Sequence, residues 1–207
     1  TDLQGGVNVG AVTGDFNGDG NPDLHLGSHE AVTQGRSHFI ESAGQFTIGE
    51  TISVYNLTSA NGFNTQGGES SGDLTAAFFQ GDIDADGFDE LVVGGYNHDP
   101  NGHLSGQVFL VWGTDNYQTG TTYDLHNTTD ARWTIIDGPQ IRSLIQVMST
   151  QSGDVIGDDK PDLVISARNI DRNFRDIFVL DGSYLATRPA HVDLASFTEA
   201  MGVQITN

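Results

Sequence analysis

Cysteine is absent from all 207 residues, so no disulfide can close a loop or staple a small core, and thiolate chemistry is excluded with it. Basic residues are nearly as scarce. Eight Lys and Arg against 28 Asp and Glu leave a formal charge of −20. Binding a phosphate backbone or an anionic lipid surface needs a basic face, so no nucleic acid and no anionic membrane is expected as a partner. No apolar run approaches the ~20 residues of a membrane span, so no membrane insertion is expected either. The phosphate loop, the dinucleotide fingerprint and the nucleophile elbow are all missing. Thr1-Asp2-Leu3-Gln4 at the start is neither basic nor apolar, which suits a mature product or an excised segment. The acidity is dispersed among recurring hydrophobic runs, unlike the blocks of a disordered tail.

What the chain does have is 27 glycines and one acidic loop written three times. The copies run from Asp15 to Asp23, from Asp82 to Glu90 and from Asp154 to Asp162, with first aspartates 67 and then 72 residues apart. Oxygen-bearing side chains at loop positions 1, 3, 5 and 9 converge when a turn bends around a hard cation, and calcium accepts such irregular oxygen sets best. In the first loop Asp15, Asn17, Asp19 and Asp23 supply side chains, and Asn21 at position 7 offers a backbone carbonyl. The second uses Asp82, Asp84, Asp86 and Glu90, with the carbonyl of Phe88. Gly20 and Gly87 at position 6 predict a left-handed residue there. The third loop departs from the pattern, because Ile156 replaces a ligand and Asp159 replaces the glycine. Its remaining carboxylates are Asp154, Asp158 and Asp162, beside Lys160 at position 7.

An EF-hand is excluded by its own requirements. Position 12 would need a bidentate Glu and helices on both flanks, whereas Leu26, Val93 and Ile165 stand there and β-type residues follow. The ligand charges predict Ca²⁺ affinity in the order second, first, third loop, with dissociation constants on the order of 10⁻⁴ to 10⁻³ M if the module is extracellular.

Aligning on the loops sorts the rest into three units, about 1–67, 68–138 and 139–207. After each loop come an apolar run (from Leu24, Leu91 and Leu163) and a strand centred on Phe39, Phe109 or Phe178, with Gly44, Gly113 or Gly182 shortly after. An Asn-Leu or Asp-Leu pair follows at Asn56, Asp124 and Asp193, then a last strand at Phe63, Trp133 or Val203. Leu74–Phe79 and Leu144–Met148 lead into the next loops. Four short antiparallel strands per unit predict an all-β chain of propeller-type blades. Three such units should not close a ring alone. A partial propeller, half of a homodimeric ring, further blades in a longer chain, or an open arc against another domain are the alternatives.

These loops and flanking strands resemble FG-GAP repeats, the blades of the integrin α-subunit propeller and of many bacterial surface proteins. Trp112-Gly113 stands in the place of the family's Phe-Gly, and Gly94-Gly95-Tyr96 in that of Gly-Ala-Pro. The resemblance implies a secreted or cell-surface, calcium-binding module for adhesion or recognition of an extracellular protein or glycan. Alternatives are a non-catalytic or catalytic repeat domain of a secreted polysaccharide- or lipid-active enzyme, and a structural spacer. Candidate recognition segments are Glu30–Gln34, Asn97–Ser105 and Asn169–Arg175, with Tyr96, Tyr117 and Tyr123 as candidate contact residues. No catalytic residue is assigned, since the paired carboxylates are committed to the cation. Nor do His25 and His29, or His98 and His103, have a transition-metal spacing on a helix.

Overall fold

The computed structural model describes residues 11–28, 35–41, 47–51, 53, 62–67, 74–95, 98–140, 142–147, 153–169 and 174–206. Over these the chain is all-β. The first unit contributes β1 (Ala11–Gly14), β2 (Asp23–Ser28), β3 (Arg36–Ile40) and β4 (Gly62–Gln66). The second contributes β5 (Leu74–Gly81), β6 (Glu90–Gly95), β7 (Gln107–Val111), β8 (Thr122–Asp124) and β9 (Trp133–Asp137). The third contributes β10 (Ile145–Val147), β11 (Leu163–Asn169), β12 (Phe174–Leu180), a short helix α1 (Gly182–Leu185), β13 (His191–Asp193) and β14 (Gly202–Ile205).

Each unit is an antiparallel ladder in the same order: β1-β2-β3-β4, β5-β6-β7-β9 and β10-β11-β12-β14. Registers correspond from unit to unit. The residue after each loop pairs with Ile40, Val111 or Leu180, and these pair in turn with Gly62, Trp133 and Gly202. Between the antiparallel ladders of the first two units the described residues show one pairing, Ser28 with Leu74. No sheet closes on itself among the described residues.

The four-strand expectation leaves out one element. β8, from the second unit, joins β4 of the first in parallel, and β13, from the third, joins β9 of the second in parallel. The second and third units therefore each lend a strand to the outer edge of the unit before them.

Alternation of side chains across the middle sheet decides where the core sits. Leu91, Val93, Phe109, Val111, Trp133 and Ile135 turn toward the first unit and join Phe16, Phe39 and Phe63. Val92, Val108, Leu110 and Ile136 turn the other way, into a second cluster with Leu163, Ile165, Phe178 and Leu180. Burial on both faces explains why β6 and β7 are apolar almost without interruption. Tyr117 and Tyr123 correct the expectation of surface recognition residues. Both are buried, Tyr117 stacks on Phe63 with centroids 4.5 Å apart, and Arg132 lies 4.3 Å above the Tyr123 ring.

Candidate metal centre

The three acidic loops share one backbone design. In each, both oxygens of the position-1 carboxylate accept backbone N–H groups from positions 5 and 6. Asp15 takes Asp19 (3.0 Å) and Gly20 (2.9 Å), Asp82 takes Asp86 (2.9 Å) and Gly87 (2.9 Å), and Asp154 takes Asp158 (3.0 Å) and Asp159 (2.9 Å). The N–H of Asp159 foremost, with those of Gly157 and Asp158, holds the Asp154 carboxyl below its usual range. Position 5 in turn caps position 7, through Asp19 to Asn21, Asp86 to Phe88 and Asp158 to Lys160. Position 6 is left-handed as expected, including the non-glycine Asp159 at φ 66°. Position 4 is left-handed too, at Gly18, Ala85 and Gly157, which the ligand pattern did not foretell.

Position 9 has a second task. Asp23, Glu90 and Asp162 are fully buried and tie the start of the loop to its end. Asp23 accepts the amide of Phe16 at 3.1 Å, Glu90 that of Ile83 at 2.6 Å, and Asp162 those of Val155 and Ile156 at 2.7 and 2.8 Å. Burial pushes the Glu90 carboxyl up to about 9, only partly countered by the Ile83 amide, and Asp84 adds to the rise. A neighbouring divalent cation reverses that balance by favouring the ionised form.

The same carboxylates explain the glycine after the aromatic strand. The N–H of Gly182 donates to Asp162 at 3.0 Å, and that of Gly113 reaches Glu90 at 3.4 Å. A Cβ on Gly113 would stand 2.6 Å from the Asp89 carbonyl oxygen and from Phe88 Cβ, and one on Gly182 would collide with the Pro161 carbonyl. The loop sits directly on this residue, which leaves room for hydrogen only.

Two carboxylate triads bring their oxygens within 4.8 Å of one another and can hold a metal ion: Asp82, Asp84 and Asp86, and Asp158, Asp162 and Asp181. The first matches positions 1, 3 and 5 of the second loop. Its donor set is hard oxygen, and Asp84 Oδ1 is buried without a protein partner among the described residues. A buried carboxylate oxygen without a donor, on a residue clustered with two other carboxylates, fits a bound cation. Arg188, from the third unit, pairs with two of the three carboxylates. Its Nε meets Asp84 Oδ2 at 2.6 Å, a terminal nitrogen meets Asp86 Oδ2 at 2.5 Å, and its guanidinium stacks 4.9 Å from the Trp112 ring centre.

The other triad includes Asp181, which the loop spacing could not reveal because it arrives 19 residues after Asp162. Its Oδ1 caps α1, accepting the amides of Ser183 and Tyr184. Asp158 is also engaged, by the hydroxyl of Ser183. This triad is thus better satisfied by protein donors than the one in the second loop. The first loop brings together Asp15, Asp19 and the amide oxygen of Asn17, which accepts the Asp19 N–H at 3.1 Å. It is clamped to the second loop by reciprocal bonds: Asp15 N–H to Asp89 Oδ2, and Asp89 N–H to the Asp15 carbonyl, both 2.9 Å.

The histidines go elsewhere. His25 is buried and bonds Ser37 at 2.9 Å, and His98 and His126 share the Gln107 Oε1 at 2.9 and 2.8 Å. No metal cluster containing His occurs among the described residues. His29, Glu30–Gln34, Tyr96, Gly44, Asn56, Leu57, Met148 and most of the stretch between Asn169 and Arg175 lie outside the described residues. No protein-family model matches the chain, and no curated protein matches it at a significant level.

Proposed function

We propose that this chain is a calcium-binding β-propeller module of the FG-GAP type, acting outside the cell or at its surface in adhesion or in recognition of a protein or glycan. The observation that carries the calcium reading is the triad of Asp82, Asp84 and Asp86 with its orphaned Asp84 oxygen. Hard oxygens at irregular angles suit Ca²⁺ better than Mg²⁺, which demands near-octahedral geometry. Support for the propeller comes from three ladders in matching register that pack face to face through shared cores. In this reading the cation stiffens the turns at one end of the ladders, and the variable connections carry recognition. The segment from His98 to Ser105 is the described example. It is pinned by Asn101 Nδ2, which donates to the Gly138 carbonyl and to Asp193, each at 2.8 Å.

Isothermal titration of chelator-treated protein with CaCl₂ tests the cation. Binding to the wild type with loss of one site in Asp84→Asn is expected. Absence of heat up to about 10 mM Ca²⁺, well above the ~10⁻³ M ceiling for extracellular modules, would refute it. Recognition is tested by glycan and protein arrays with and without chelator, where calcium-dependent binding is expected and silence under both conditions leaves a spacer.

A further inference from the structure

Every carboxylate oxygen of Asp82, Asp84 and Asp86 can be followed to its donor. Asp82 Oδ1 and Oδ2 accept the amides of Asp86 and Gly87, and Asp86 Oδ1 accepts that of Phe88. Asp84 Oδ2 and Asp86 Oδ2 both accept from Arg188. Of the six, Asp84 Oδ1 alone has no protein donor, although the Asp84 side chain is only 8 % exposed. One carboxylate is thus shared between a guanidinium on one oxygen and the cation position on the other.

Arg188 does not owe its place to these carboxylates. Its N–H closes the turn after α1 on the Leu185 carbonyl at 2.8 Å, with the backbone left-handed at φ 50°. A left-handed arginine is uncommon and persists where its surroundings hold it. The next two residues are fastened to β9. The Pro189 carbonyl accepts the Thr134 hydroxyl at 2.6 Å, and the Ala190 carbonyl accepts the amide of Ile135 at 3.2 Å. The guanidinium stacks on Trp112, whose Nε1 donates to the same Thr134 hydroxyl at 3.3 Å. Nor is the arginine needed to aim Asp86, since the same cap from position 5 to position 7 aims Asp19 and Asp158 in the other loops. What Arg188 adds is a fixed positive charge.

We infer that Arg188 is a built-in counter-cation of the second loop, which lowers the affinity of this site for a metal ion and does so more steeply for ions of higher charge. The inference rests on the calcium reading above. Repulsion across the shared Asp84 carboxylate costs a divalent ion about tenfold in affinity, even at the dielectric of water. The repulsion scales with the charge of the ion, so a trivalent ion loses about thirtyfold. Counting Arg188 makes the formal ligand charge of the second loop equal to that of the first, four carboxylates and a guanidinium against three carboxylates.

Isothermal titration with CaCl₂ and, separately, with LaCl₃ tests this at the site that Asp84→Asn removes. Arg188→Gln keeps a donor for Asp84 and discards the charge, whereas Arg188→Lys keeps the charge and gives up the planar fork. The Arg188 side chain is 37 % exposed, so neither substitution empties the core. Arg188→Gln is expected to bind Ca²⁺ about tenfold and La³⁺ about thirtyfold more tightly than wild type, with Arg188→Lys within about threefold of wild type for both. Ca²⁺ affinity in Arg188→Gln at or below that of wild type overturns the inference, because the arginine would then support the ligands and not oppose the ion. So does equal tightening for both ions, or tightening in Arg188→Lys as large as in Arg188→Gln. In those three cases the calcium site itself stands. If Asp84→Asn deletes no site, the calcium reading falls and takes this inference with it. Far-ultraviolet circular dichroism establishes that each variant is folded.

Discussion

Replacing Asp84 by Asn should stabilise the cation-free protein and destabilise the cation-loaded one. Three carboxylates have oxygens within 4.8 Å of one another in the second loop, and Asp84 takes part in two of the three repulsive pairs. At that separation each pair costs about 0.9 kcal/mol at the dielectric of water and several times more in a partly buried site. Against this stands the attraction of Asp84 for Arg188, about 1.6 kcal/mol at 2.6 Å on the same scale. Asparagine keeps an oxygen for Arg188 and removes both repulsions, together with the buried, unpartnered Oδ1 charge. The two repulsions and this attraction nearly cancel, so the gain without calcium comes from relieving the buried, unpartnered charge, about 1 kcal/mol, a rise in Tm of roughly 2–4 °C for a chain of this size. With Ca²⁺ the sign inverts. A site with a dissociation constant near 10⁻⁴ M contributes about 2.7 kcal/mol at one hundred times that concentration, and the variant forfeits most of it. Differential scanning calorimetry in EDTA and in excess Ca²⁺ reads both effects. A variant less stable than wild type in EDTA, with an undiminished calcium shift, would refute the assignment of Asp84 as a ligand.

Two glycines separate packing from backbone strain. Gly113→Ala should cost about 1–3 kcal/mol because its Cβ meets Asp89 and Phe88. Gly87→Ala, at φ +95° with nothing within 4 Å of its Cβ, should cost only the ~1–2 kcal/mol of a left-handed alanine; urea denaturation in EDTA ranks the two. Acid should unfold the protein partly through His25, whose pKa falls from 6.5 to about 3 through burial first and the neighbouring His38 second. The unfolded chain takes up that proton first, so the contribution is complete above pH 6.5 and is lost as pH falls toward 3, at about 1.4 kcal/mol per pH unit. In His25→Gln the decline in urea midpoint between pH 6.5 and pH 4 should be visibly shallower.

The strands were legible because their signals are local. The loop oxygens recur at fixed offsets, the apolar runs from Leu24, Leu91 and Leu163 follow them directly, and the structure places β2, β6 and β11 there. Position 6 was readable because glycine announces a left-handed backbone, whereas Ala85 at position 4 carries no such sign, and only the surrounding hydrogen bonds put it at φ 62°. Asp181 and Arg188 were out of reach for another reason. They come from a different part of the chain, and only the return of α1 and its following turn to the loops brings them in. The parallel strands β8 and β13 were hidden in short segments centred on the Asx-Leu pairs, recognisable as repeats but silent about which unit they would join. Tyr117 and Tyr123 misled because their loop setting looked exposed, while the neighbouring Phe63 and Phe16 provide a buried aromatic surface for them.

Apart from Asp181, which stays within the third unit, these non-local features cross a seam between units. Asp89 fastens the second loop to Asp15 of the first, Arg188 reaches from the third unit to Asp84 and Asp86, and β8 and β13 close the outer edges. A unit of this kind cannot bury its second sheet face alone, so its stability is shared with its neighbours. The first two acidic loops lie at the same seams, where a divalent cation, if bound as proposed, would neutralise charge that otherwise pushes the units apart. On the proposed function, loop rigidity and unit-to-unit cohesion would then answer to one variable, the occupancy of the cation sites. The third loop is the telling case. Val155 is open to solvent where Phe16 and Ile83 are covered, so its turn lacks the cover that the other two have. Its affinity for a cation should therefore rise when a following surface docks on it, while that of the second loop, already covered by Arg188 and Trp112, should not change.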